Sequence, residues 1–179
     1  MHSDIEQILV SEAEIRETVA RLGEQISRDY AGKEILAIII LKGSVVFAAD
    51  LIRALTVPVQ IDFMQASSYG ASTESTGVIH IRHDLATDIA GRHVLLVEDI
   101  IDSGNTLYKL KEMLLDRNPA SLRICTMLNK PSRRTSTVAV EYVGKEIPDA
   151  FVVGYGLDYN ELHRNLPYIG ILKHSVYEK

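Results

Sequence analysis

The sequence predicts an α/β fold, with a mostly parallel central sheet flanked by helices on both faces. Three observations predict it. First, Leu36 to Leu41 is apolar at every position, and Val94 to Val97 is built only of valine and leucine. Strands buried on both faces of a parallel sheet read this way, whereas half-exposed strands alternate. Second, segments of helical periodicity fall between the apolar runs, as βαβ units require. Third, 179 residues suffice for one buried core, and residues 1–179 read as a single domain with no linker, repeat or low-complexity tract.

Taken in order, the elements are these. Ser11 with Glu14 has the spacing of a capping box. Ile15, Val19, Leu22 and Ile26 follow at helical spacing, and Gly32 is placed to end that helix. After the Leu36–Leu41 strand, Val45 to Leu55 reads as a helix turning Val45, Val46, Ala49, Leu51 and Ile52 inward. Val59, Ile61 and Phe63 alternate as a strand. A loop rich in Ser, Gly, Thr and Ala spans Ala66 to Gly77, and Val78 to Arg82 returns as a strand, so the region is a long flexible hairpin. The strand at Val94–Val97 leads to a helix from Thr106 to Leu115. Leu122 to Leu128, Val138 to Val143 and Phe151 to Tyr155 are then strands, and the tail from Leu157 is mixed.

Composition narrows the function classes. The net charge of −5 argues against a broad nucleic-acid or anionic-membrane surface. No apolar segment approaches the ~18 residues of a membrane span, and the N-terminus lacks a basic stretch followed by an apolar one. Cys125 is the only cysteine and sits in an apolar run, so it reads as a core residue in a reducing cytoplasm. His80, His83, His93, His163 and His174 show no metal-ligand spacing. Arg133 and Arg134 could line a phosphate cavity, but a solvated pair is the plainer reading.

The chemistry concentrates in Val94-Leu95-Leu96-Val97-Glu98-Asp99-Ile100-Ile101-Asp102-Ser103-Gly104-Asn105-Thr106-Leu107. An apolar strand ends in two adjacent carboxylates, where ligands of open α/β sheets bind. Glu98 and Asp99 are suited to vicinal hydroxyls, directly or through a hydrated divalent cation. The Ser103-Gly104-Asn105-Thr106 turn offers backbone N–H groups, hydroxyls and a helix N-terminus, which together suit a phosphate. Asp102 falls between the two and could act as general base or acid. An Asp-Ser helix cap is the plainer reading of such a turn, but the adjacent carboxylate pair adds nothing to a cap.

This segment resembles the phosphoribosyl-pyrophosphate loop of the type I phosphoribosyltransferases. Four further stretches narrow the resemblance to the hypoxanthine-guanine phosphoribosyltransferases: Leu41-Lys42-Gly43-Ser44, Ser67-Ser68-Tyr69-Gly70, Leu128-Asn129-Lys130-Pro131, and Phe151 to Glu161 leading to Arg164. The resemblance implies a small hood subdomain made by the N- and C-terminal segments. It implies that Lys42 and Gly43, joined through a cis Leu41–Lys42 peptide, receive pyrophosphate, and that Ser68 and Tyr69 close over it. Ser44, where many members have glycine, is a departure. Lys130 would donate to the purine 6-oxygen, Phe151 would stack on the base, and the Val152 backbone would read its edge. Asp158 would hold a second magnesium, besides that near Glu98 and Asp99, and Arg164 would pair with pyrophosphate.

The expectation is therefore a magnesium-dependent purine salvage enzyme. It would take phosphoribosyl pyrophosphate with hypoxanthine or guanine and form IMP or GMP, without nucleic-acid or membrane partners. It would assemble as a homodimer or homotetramer. A xanthine-preferring enzyme and a nucleotide-sensing regulator of the same fold are the alternatives.

Overall fold

The computed structural model describes residues 1–68 and 79–178, the side chains of Ser67 and Ser68 excepted. Among these, the strands form two sheets. The larger has six strands: β2 (Ile35–Ile40), β3 (Val59–Ser68), β4 (Ile79–His83), β5 (His93–Ile101), β6 (Ser121–Asn129) and β7 (Tyr142–Glu146). Their order is β4-β3-β2-β5-β6-β7, parallel throughout except for β4, which returns antiparallel to β3.

The all-apolar β2 is explained by what covers each face. Ile35, Ala37 and Ile39 pack with α1 (Glu12–Asp29) and α2 (Val45–Ala54). Leu36, Ile38 and Ile40 pack instead with Leu107, Leu110 and Leu114 of α3 (Asn105–Leu115). Successive side chains of a strand point to opposite faces, so a strand between two helical layers has no polar side. Helix α1 carries the expected capping box: Glu14 N–H donates to Ser11 Oγ at 3.3 Å, and Ser11 N–H to Glu14 Oε2 at 2.8 Å. It ends at Asp29, with Tyr30 as its C-cap and left-handed Gly32 (φ 74°) just beyond.

The smaller sheet is the hood. It joins β1 (Ile5–Val10), β9 (Ile169–Leu172) and β8 (Val152–Val153) in the order β1-β9-β8. Its own apolar cluster is centred on Ile5, Val153 and Leu172. A short helix, α4 (His174–Tyr177), follows. No helix among the described residues is long and apolar enough to cross a membrane.

Four local expectations need correction. Helix α2 buries Phe47, Ala48 and Leu51, while Val45 and Ala49 face outward. Val-Val-Phe-Ala-Ala is apolar all round, so its phase is set by what it meets, the sheet on one side and α1 on the other. The strand expected at Val138–Val143 begins only at Tyr142. There the Glu141 carboxylate accepts the Ile124 N–H (2.8 Å), taking a ladder position in β6. The strand expected over Phe151–Tyr155 is cut to two residues, because Gly154 and Tyr155 take left-handed backbone (φ 98° and 51°). The tail contains β9, and β1 precedes α1, both unread in the sequence.

Candidate active site

Strand β5 runs into the site. Its parallel neighbour β6 holds it to Ile101, past the apolar run that ends at Val97, where pairing with β2 stops. Glu98 and Asp99 therefore stand on the last turns of a rigid strand, half-buried and side by side. Burial, reinforced by the Asp99 charge, pushes the Glu98 carboxyl well above the ordinary carboxylate range. Burial also raises Asp99, opposed by hydrogen bonds that include Ile100 N–H to Asp99 Oδ1 (2.7 Å). Such a pair gains from a cation.

The turn after β5 is braced from outside. Gly104 takes φ 81°, and α3 starts from it with no side chain capping the helix. A Cβ there would lie 2.5 Å from Ser136 Oγ and 3.0 Å from Arg134 Cδ and Val138 Cγ1. Glycine is required twice over, for its backbone and for the close approach. The Ser103 carbonyl accepts the Thr135 N–H (3.0 Å) and Ser136 N–H (3.2 Å). Arg134 Nε donates to the Asp102 carbonyl (3.1 Å), and its Nη2 to Asn129 Oδ1 (2.5 Å). Arg134 is thus a brace of the turn and not the solvated residue expected. With Ser103, Gly104 and Thr106, Glu98, Asp99 and Asp102 line a cavity of about 210 Å³, and Asn105 is exposed beside it.

A second cavity, about 610 Å³, opens on the other side of Asp102. Lys130, Phe151, Val152 and Asp158 line it, so the three base-side residues expected from the sequence meet there with one of the three expected metal ligands. Lys130 is only 7% exposed. Asp102 belongs to both cavities, and its Oδ1 is buried with no hydrogen-bond partner among the described residues. A buried acceptor left unpaired is costly unless a ligand supplies the donor. Tyr177 was missed, and Arg133 was weighed only for the phosphate side. Tyr177 of α4 stacks on Phe151, with centroids 5.0 Å apart and planes inclined by 23°. Arg133 Nε pairs with Asp149 Oδ1 (2.8 Å) on the cavity wall. No local motif marks either residue.

The third part of the site is the loop between β2 and α2. The Leu41–Lys42 peptide is cis, as the resemblance implied. A Cβ on Gly43 would overlap the Asp99 carboxylate, and one on Gly156 (φ 100°) would overlap the Gly43 carbonyl. The loop is therefore wedged between β5 and the turn that carries Asp158. Ser44 does not cap α2; its hydroxyl donates back to the Ile40 carbonyl. Lys42 Nζ lies 3.0 Å from Glu161 Oε1. Arg164 Nη2 reaches Glu161 Oε2 (3.0 Å) and Asp158 Oδ1 (2.9 Å), while its Nη1 donates to the Gly156 carbonyl (2.8 Å). Both cations expected to receive pyrophosphate thus share one carboxylate. Ser68 closes β3, but its side chain and all of Tyr69 lie outside the described residues, as does most of the Ala66–Gly77 loop.

Comparison with known proteins agrees with this geometry. The phosphoribosyl transferase domain family matches residues 5–160. A hypoxanthine-guanine phosphoribosyltransferase of Staphylococcus aureus is 49% identical over 177 residues, covering 99% of each chain. One from Streptococcus pneumoniae is 50% identical over 177 residues, covering 99% of this chain and 98% of its own. The crystal structure of a hypoxanthine phosphoribosyltransferase from Staphylococcus aureus superposes with a TM-score of 0.97 at 49% identity, covering 100% of this chain and 97% of that one. The chain belongs to the phosphoribosyltransferase family and, within it, to the hypoxanthine-guanine phosphoribosyltransferases.

Proposed function

We propose that the chain, acting as one unit over residues 1–179, is a purine salvage enzyme. It transfers the 5-phosphoribosyl group of phosphoribosyl pyrophosphate to N9 of hypoxanthine or guanine, giving IMP or GMP and pyrophosphate. The observation that carries this reading is Asp102, whose unpaired buried Oδ1 stands at the junction of an anion-binding turn and an aromatic-lined cavity. The names of the relatives support it.

Ser103, Gly104, Asn105 and Thr106 hold the 5′-phosphate through a turn that is already braced. Glu98 and Asp99 bind the ribose hydroxyls. Lys42, Gly43 and Arg164 receive pyrophosphate, with Ser68 and Tyr69 assigned to cover it. Lys130 donates to the 6-oxygen of the base, Phe151 stacks on its ring, and the Val152 backbone reads its edge. As the C1–N9 bond forms, the bond from C1 to pyrophosphate oxygen breaks. Asp102 takes the proton from N7, and returns it in the reverse direction. No covalent intermediate is required, so positioning and charge stabilisation lower the barrier.

Glu98, Asp99 and Asp158 are hard oxygen donors, and the raised carboxyl pair fits a bound cation. Mg²⁺ at these residues would neutralise charge on the leaving pyrophosphate. A homodimer or homotetramer is part of the reading, and the outward Val45 and Ala49 of α2 offer it an apolar surface. Buried, lone Cys125, whose thiol burial pushes far up, suits a reducing cytoplasm.

The test is direct. The protein is mixed with phosphoribosyl pyrophosphate and Mg²⁺, then offered hypoxanthine, guanine, xanthine, adenine or uracil. IMP and GMP form, and chelating Mg²⁺ stops both. Absence of product from every base would overturn the proposal. Lys130→Ala should raise KM for hypoxanthine more than KM for phosphoribosyl pyrophosphate; equal rises would remove Lys130 from base recognition.

A further inference from the structure

Outside the active site, the two ends of the chain bring together three metal-ligating side chains. One ligand atom each of His2, Asp4 and His163 lies within 4.8 Å of the other two, and they are the one such group among the described residues. Asp4 Oδ2 is 3.7 Å from His2 Nδ1 and 3.5 Å from His163 Nε2. Neither distance is a hydrogen bond. The three donors converge on a common space without touching.

Two of the three edges of that space come close to the dimensions of a coordinated ion. Donors held at about 2.0–2.1 Å by a tetrahedral Zn²⁺ stand about 3.3–3.4 Å apart. The two Asp4 separations exceed this by a few tenths of an ångström, within the reach of small side-chain rotations.

The donors are also held in place. His2 N–H donates to Tyr168 Oη (2.9 Å), the His2 carbonyl accepts from Ile5 (3.1 Å), and the Asp4 carbonyl accepts from Lys173 (2.9 Å). The terminal residues are thus tied to the hood sheet. Asp4 N–H donates to His2 Nδ1 (3.2 Å), so a neutral His2 carries its proton on Nε2, and an ion at Nδ1 would take that lone pair in exchange for this long hydrogen bond. The other Asp4 oxygen accepts from Ser3 Oγ (3.2 Å). The His163 side chain is only 8% exposed, and its Nε2 faces Asp4. The rings of His2 and His163 meet edge to face, with centroids 5.0 Å apart.

We propose that His2, Asp4 and His163 form a binding site for a divalent transition-metal ion of the Zn²⁺ class, completed by water. Two imidazoles and one carboxylate favour such an ion over Mg²⁺, which takes oxygen donors. The site is therefore chemically separate from the Glu98, Asp99 and Asp158 carboxylates. Its third ligand is the immediate neighbour of Arg164 and lies on the same loop as Glu161. A bound ion would pin that loop to the N-terminal strand.

The experiment uses the full chain, stripped of metal and then saturated with Mg²⁺ so that the active-site carboxylates are occupied. Zn²⁺ is titrated while the imidazole ¹H–¹⁵N signals of all six histidines are followed. Equilibrium dialysis compares the wild type with His2→Ala and His163→Asn. His2→Ala alters a half-exposed terminal residue, so it keeps the test alive if the other variant misfolds. Asparagine tolerates the left-handed backbone of His163 (φ 74°). The expected result is that His2 and His163 signals shift together, saturating at one equivalent. Either variant should then lose affinity by at least about tenfold, since even changes behind the ligands cost that much. Zn²⁺ should also raise the wild-type Tm, and not that of His2→Ala. Unmoved His2 and His163 signals, or equal Zn²⁺ uptake by wild type and His2→Ala, would overturn the proposal and leave Asp4–His163 as an ion pair only.

Discussion

The two halves of the anion site are built by different means. The Asp102–Thr106 turn is fixed by backbone geometry: Ser103 accepts two N–H groups, Arg134 clamps the Asp102 carbonyl, and Gly104 fits where no other residue would. Nothing there has to change for a phosphate to enter. The Lys42–Arg164 side is fixed by charge. Its two cations already pair with Glu161, through side chains that are largely exposed on Lys42 and Glu161 and partly buried on Arg164. On the proposed reading, a pyrophosphate would displace that carboxylate. One half is preorganised and the other is self-occupied, so binding there is an exchange of anions whose net gain is small.

Four substitutions break or sharpen this contrast. The largest effect belongs to Asp102→Asn. It should leave the turn and phosphoribosyl pyrophosphate binding intact but slow single-turnover chemistry by ~10²–10⁴-fold; a wild-type rate would strip Asp102 of its proton-transfer role. Gly104→Ala attacks the preorganised half. Left-handed backbone and the contact with Ser136 should together cost about 1–3 kcal/mol in urea unfolding, and phosphoribosyl pyrophosphate affinity should fall as well. Unchanged stability would mean that the turn relaxes freely.

Glu161→Gln attacks the self-occupied half and should act in the opposite direction. Exposed ion pairs are individually weak, so freeing Lys42 and loosening Arg164, which keeps Asp158, should tighten pyrophosphate binding by about two- to five-fold, most clearly at low salt. Weaker binding in calorimetry would show that Glu161 positions the cations instead of competing for them.

The smallest effect lies far from the site. A hydrogen bond from Lys145, aided by Ser11, holds the Glu14 carboxyl down at about 2. A depressed carboxyl contributes stability above its unfolded pKa and loses it as pH falls through the folded one. The Glu14 contribution should therefore be complete above about pH 4.5 and vanish towards pH 2. Glu14→Gln keeps the capping box, so its urea midpoint should fall below wild type at pH 6 and converge with it near pH 2; a gap independent of pH would locate the effect in the cap.

What could be read in the sequence follows the same division. The β5 strand, its carboxylates and the turn are contiguous, and the apolar run of β2 could mean only burial on both faces. Strands β1 and β9 were unreadable for a physical reason. β1 is interrupted by register shifts between Ile5 and Gln7 and between Ile8 and Val10, so only its ends are buried and no alternation survives. The inward face of α2 was misassigned because every candidate residue was apolar. Tyr177, Arg134 and the His2–Asp4–His163 group each depend on a partner distant in sequence, and spacing carries no trace of such contacts.

The two cavities that share Asp102 also differ in how they can change over generations. The sugar side is one unbroken stretch from Glu98 to Leu107, inherited or lost as a unit. The base side is gathered from the end of β6, the start of β8 and the last helix. On the proposed reading, single replacements at Lys130, Phe151 or Tyr177 would therefore reshape which ring is accepted while the shared Asp102 stays in place. A gene duplicate of this chain would then have a shorter mutational path to a new nucleobase than to a new sugar.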